Sequence, residues 1–159
     1  MLSNDERTRL IDQYEAGYDA VVTALEGITP EELDAREGAG EWSPRQVVHH
    51  LADSEMTSAI RFRRIIAEDH PLIQGYDQEE FADDLFYDRP IEASLLAFQG
   101  ARASTVPIMR ALSDEQWQRA GLHSETGEVT AESMLEYYAL HAHGHAGQIR
   151  RARAAALKG

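Results

Sequence analysis

Four stretches of the chain repeat apolar residues at helical spacing, and polar or turn-forming segments separate them. The first runs from about Asp5 to Leu25, with Leu10, Ile11, Tyr14, Tyr18, Val21, Val22 and Leu25 recurring on one face. The second opens at Ser43-Pro44, an N-cap residue followed by proline at the first helical position, and runs to about Glu68. The third begins at Pro90 and continues through Leu95, Leu96 and Phe98 to Leu112, with a kink expected at Pro107. The fourth starts near Thr130, a capping hydroxyl, and runs to about Leu157.

The links are shorter and polar. Thr29-Pro30-Glu31-Glu32-Leu33 and Ser113-Asp114-Glu115-Gln116-Trp117 each read as a helical turn behind an N-cap, and Ser124 to Val129 reads as a turn. Between the second and third helices lie residues Asp69 to Arg89. At ~3.3 Å per extended residue, a segment of that length can cross a bundle from end to end. The pattern predicts an all-α four-helix bundle over residues 1–159, one domain, with a long crossover that leaves helices two and three parallel.

Composition narrows the function. Of 159 residues, 28 are acidic and 15 basic, a net charge of −13 that repels phosphate backbones and argues against nucleic-acid binding. No stretch approaches the ~20 apolar residues of a membrane span, and the N-terminus lacks a signal-peptide core, so a cytoplasmic protein without a membrane partner is expected. Cysteine is absent, which removes disulfides, thiolate ligands and a cysteine nucleophile. A zinc-like site would have to use histidine and carboxylate.

The fourth helix contains HAHGHAGQI. His141 and His145 are four residues apart and share a helix face, so two imidazoles can bind one ion. At about 100° per residue they fall in a sector with Met134, Tyr138, Ile149 and Ala152, the apolar face, while His143 points elsewhere. A third ligand is available in QVVHHLADSE, where His50 lies at the edge of the apolar stripe and His49 well round on the polar side. The geometry favours His50. His49, His70, His123 and His143 are expected to be surface or loop residues.

Three neutral imidazoles with no fourth protein ligand describe an open site, suited to a divalent zinc or nickel ion. Gln148, on the face of His145, either holds an imidazole or a metal-bound water, or is an ordinary core or surface glutamine. Ser54 and Arg61 follow His50 on nearly the same line and are candidate substrate contacts. Arg61 and Arg64 either anchor a carboxylate or pair with acidic neighbours. Asp53 and Glu55 fall off that line, so no dedicated general base is apparent. GxSxG, P-loop, GxGxxG and HExxH patterns are absent.

In WSPRQVVHHLADSEM, IRFRRIIAED, YDQEEFA, PIEASL and HAHGHAGQI the chain resembles the DinB-like superfamily, and within it the YfiT-type branch. That branch includes bacillithiol S-transferases and proteins proposed to be metal-dependent hydrolases. The resemblance implies an up-down-down-up bundle, a homodimer, and a zinc or nickel ion held by His50, His141 and His145. The expected function is transfer of a low-molecular-weight, bacillithiol-like thiol cosubstrate to an electrophilic small molecule. The alternatives are a hydrolase using the ion, and a non-catalytic metal-binding stress-response dimer.

Overall fold

In the computed structural model, which describes residues 1–157, four long helices pack around one axis. They are α1 (Asn4–Leu25), α3 (Pro44–Ala67), α5 (Glu92–Ala111) and α7 (Ala131–Ala156); single turns α2 (Pro30–Leu33) and α6 (Asp114–Trp117) and the short α4 (Gln78–Asp84) lie in the links. Lys158 and Gly159, the end of the expected domain, lie outside the described residues. Among those described, no helix is long and apolar enough to cross a membrane.

The helix starts follow from local chemistry. Ser3, Thr29, Ser43, Ser113 and Thr130 each accept a hydrogen bond from the third helical backbone N–H, and the side chain at that third position reaches back to the cap residue. Reciprocal capping of this kind satisfies two otherwise orphaned donors. Pro107 lies inside α5, which runs through it as one helix.

Burial divides the core into two apolar clusters. One gathers Val21 and Leu25 of α1, Val47, Val48, Leu51 and Ala52 of α3, Phe98 of α5 and Ala146 and Ile149 of α7. The other gathers Ile11 and Tyr14, Phe62 and Ile65, Val106 and Met109, and Leu135 and Ala139. The first cluster therefore collects the end of α1, the starts of α3 and α5, and the later half of α7. Helices α3 and α5 run parallel to each other and antiparallel to α1 and α7, the up-down-down-up order, and residues 68–91 make the long return.

The links hold a feature that hydrophobic periodicity missed. Strand β1 (Leu72–Ile73), in the crossover, pairs in parallel with β2 (Ala120–His123), which pairs antiparallel with β3 (Gly127–Thr130). The expected turn is therefore the tip of a hairpin, and the bundle is not purely α. Strands of two to four residues carry too little alternation to be read from sequence, and β1 meets β2 only after the chain has folded. Gly121 permits the approach: a Cβ there would lie 2.8 Å from the Pro71 carbonyl.

Candidate metal centre

His50 projects from the first half of α3, and His141 and His145 project from α7 toward it. The Nε2 atoms of His141 and His145 are 3.2 Å apart, those of His50 and His141 3.4 Å. Around a tetrahedral zinc with Zn–N of ~2.05 Å, ligand nitrogens lie ~3.3 Å from one another. Hydrogen bonding does not account for the cluster. An imidazole nitrogen offers either one hydrogen or one lone pair in its plane, and Nε2 of His141 faces two others. A cation that accepts three lone pairs fits this donor set.

The remaining ring nitrogens complete the picture. With its Nε2 lone pair turned to the centre, His145 carries hydrogen on Nδ1 and donates it to Gln148 Oε1 at 2.8 Å. Of the readings open for Gln148, this hydrogen bond fits the one in which it holds an imidazole. Nδ1 of His50 and of His141 is buried with no partner. Burial, reinforced by the neighbouring imidazoles, lowers His50 to about 3 and His141 to about 2, and burial lowers His145 as well. All three rings are neutral at pH 7, the form that binds a metal.

Aromatic rings wall the centre. Trp42 packs on His50 with ring centroids 4.7 Å apart, and its Nε1 donates to Glu79 at 3.2 Å. Tyr137 stacks on His141 at 5.4 Å and Tyr138 meets it edge-on at 5.6 Å. Two open grooves meet at His145 and Gln148. The larger, about 470 Å³, runs along α7 past Tyr137, Leu140, Gly144 and Arg151. The smaller, about 190 Å³, is bounded by Gly40, Glu41, Trp42, Gln78 and Glu79. Glu41 and Glu79 were missed in the sequence because nothing local links them to a histidine tens of residues away.

Other expected residues fall elsewhere. Ser54 is buried facing the phenols of Tyr76 and Tyr138, both raised by burial, Tyr138 to about 12. Arg61 donates to the Gln74 carbonyl with its guanidinium 5.6 Å from the Tyr76 ring. Neither Ser54 nor Arg61 lines the two grooves. Arg64 pairs with Glu68 at 2.8 Å, the structural alternative of its two readings. Asp53 accepts from the Tyr87 phenol at 2.6 Å, and Glu55 is buried in the core.

Two histidine expectations need correction. His49 is not a surface residue: it is fully buried, with Nδ1 2.8 Å from Ser94 Oγ and Nε2 2.9 Å from the Arg89 carbonyl. The side of α3 that reads as polar is covered by α5 and the segment leading into it. His143 is half-buried, and its Nε2 contacts the Gln13 carbonyl of α1 at 2.9 Å. His70 is exposed in a loop, as expected, and His123 ends β2 half-buried.

The chain is similar to known proteins in both sequence and fold. A family model described as the DinB superfamily matches residues 13–149. YfiT of Bacillus subtilis, whose name proposes a metal-dependent hydrolase, is 34% identical over 93% of this chain and 84% of its own. A protein of Oceanobacillus iheyensis with the same proposed assignment is 36% identical over 75% of this chain and 69% of its own. The solved structure of B. subtilis YfiT, described as a four-helix bundle of unusual topology, superposes with a TM-score of 0.88 at 32% identity, covering 94% of this chain and 86% of that one.

Proposed function

The chain belongs to the DinB superfamily, and on that premise we propose that it is an enzyme in which His50, His141 and His145 hold one zinc or nickel ion and a small-molecule substrate is attacked by a nucleophile activated there. The observation that carries this reading is the convergence of three neutral imidazoles whose ligand nitrogens lie within 4.8 Å of one another, with His141 Nε2 at tetrahedral spacing from both His50 and His145, beside a groove large enough for an organic molecule. An ion bound there lowers the pKa of a coordinated thiol or water toward neutrality.

The nucleophile we favour is a low-molecular-weight thiol of the bacillithiol kind, transferred to an electrophile. The chain has no cysteine, so a thiol nucleophile comes from a cosubstrate. Tyr137, Leu140 and Gly144 supply an apolar floor for an acceptor, and Gln148 keeps the His145 ring oriented. Ser54 and Arg61, expected as substrate contacts, lie outside both grooves and in this reading make no contact with the substrate.

Hydrolysis is the second reading, supported by the carboxylates of Glu41 and Glu79 on the smaller groove and by the hydrolase names of the relatives. A carboxylate at that position can take the proton of an attacking water. The deciding experiment loads the protein with zinc or nickel. It offers a chlorinated aromatic or epoxide acceptor with and without a low-molecular-weight thiol, and in parallel an ester and an amide without thiol. Conjugation that disappears in His145→Ala supports thiol transfer. Ester or amide turnover without thiol assigns the site to hydrolysis. A loaded protein inert in every arm overturns both.

A further inference from the structure

The two apolar clusters of the core are separated by one polar layer. On α1 the break falls at Gly17, on α3 at Glu55 and on α5 at Arg102, each between residues of the two clusters, and on α7 it falls between Ala139 and Ala142, just after Tyr138. Glu55 and Arg102 are buried, at 0% and 2% exposure, and form an ion pair at 2.9 Å. Arg102 also donates to the backbone carbonyl of Tyr14 on α1 and, at 3.1 Å, to that of Tyr138 on α7. The Tyr14 phenol donates to Glu55. One guanidinium from α5 thus bonds to each of the other three long helices.

Stability alone is a poor account of this layer. Replacing a buried ion pair by apolar side chains of similar volume is often neutral or stabilising, and the best-attested use of such pairs is to set register. The layer also demands small neighbours. A Cβ on Gly17 would collide with the Arg102 guanidinium and lie 2.9 Å from Ala142 Cβ. Its attachment points are close to the ligands along each helix. Glu55 is five residues beyond His50, about 7.5 Å along α3, and Tyr138 is three residues before His141, about 4.5 Å along α7.

We propose that Arg102, paired with Glu55, is a positioning residue for the metal centre. By bonding α3 and α7 at fixed heights, it sets the offset at which His50 meets His141 and His145. Direct apolar packing of α3 on α7 would tolerate sliding of a fraction of a turn, because alanine and valine surfaces have no preferred partner atom. Three hydrogen bonds from a planar fork do not tolerate it.

The inference rests on the reading of the three histidines as a metal site, and its test separates the two. Chelator-treated full-length protein is titrated with zinc against a competing chromophoric chelator, and the visible spectrum of the cobalt-loaded protein is recorded. The variants are Arg102→Met combined with Glu55→Leu, and Arg102→Lys alone. The double variant is expected to keep its helical circular dichroism, to bind zinc about 10- to 100-fold more weakly, and to show an altered cobalt spectrum. Arg102→Lys, which keeps the charge but not the planar fork, is expected to shift both readings in the same direction by less.

A purely structural layer would change the melting temperature and leave the cobalt spectrum of folded protein as it was. A folded double variant with wild-type zinc affinity and spectrum overturns the positioning role. Should the double variant not fold, Arg102→Lys decides on the same two readings. If the wild-type protein itself takes up no ion, it is the metal-site reading that fails.

Discussion

His49 and His50 are adjacent, both buried on α3, and built into opposite kinds of place. His49 faces α5, and each of its ring nitrogens has a partner. The Arg89 carbonyl only accepts, so Nε2 carries the hydrogen and Nδ1 accepts from the Ser94 hydroxyl. His50 faces α7, where its Nδ1 has no partner and its Nε2 confronts other imidazole nitrogens. Residue type and burial are the same in the two. Hydrogen-bond closure is what differs: one ring is a strut of the fold, and the other turns its Nε2 to a neighbouring imidazole.

The sharpest test of that contrast removes one ring from the open side. His145→Ala should take the bound metal from about one ion per chain to near zero after dialysis, measured by elemental analysis. Metal content equal to wild type would erase the distinction drawn between the two faces. Gln148→Ala leaves all three ligands but frees the His145 ring to turn. It should weaken zinc about 10- to 100-fold in a competition titration, while leaving a site that fills at saturating ion.

Acid should reveal the open side in the metal-free protein. His50 and His141 have folded-state values of about 3 and 2 against an ordinary 6.5. Below 6.5 the unfolded chain binds protons that the folded chain does not, so stability is complete above pH 6.5 and falls as the pH drops toward 3. Melting temperatures of chelated wild type should decline over that window, and His141→Asn should flatten the decline. The smallest effect is expected on the closed side. His49→Ala leaves the Ser94 hydroxyl without its partner and the Arg89 carbonyl with only the 3.4 Å bond from Arg45, a loss of about 1–3 kcal/mol. That lowers the melting temperature by several degrees, at ~2–4 °C per kcal/mol for a chain of this length, with zinc affinity unchanged.

Much of this was readable in the chain. Ser3, Ser43 and Thr130 announce their helices because capping is local, involving groups three residues apart. The pairing of His141 with His145 is equally local. Selection of His50 over His49 followed from helical phase, although the phase argument misjudged His49. It assumed that α3 has one buried face, whereas α3 packs between α5 and α7 and is buried on both. Arg102 carried no signal. In sequence it resembles any arginine in an acidic protein, and only the convergence of Tyr14, Glu55 and Tyr138 shows it to be internal.

By itself the sequence determined the four long helices, their caps, the length of the return between α3 and α5, and which three imidazoles share a side of the bundle. These depend on interactions within a few residues and on the period of one helix. The tertiary structure alone decided what surrounds those imidazoles: the Trp42 and Tyr137 walls, the carboxylates of Glu41 and Glu79 at one groove, the covered side of α3, the three-stranded sheet and the Arg102 layer. Each of these brings together groups far apart in the chain. Their partners are selected by packing and by the need to satisfy buried polar atoms, conditions that come into force only once the helices have met.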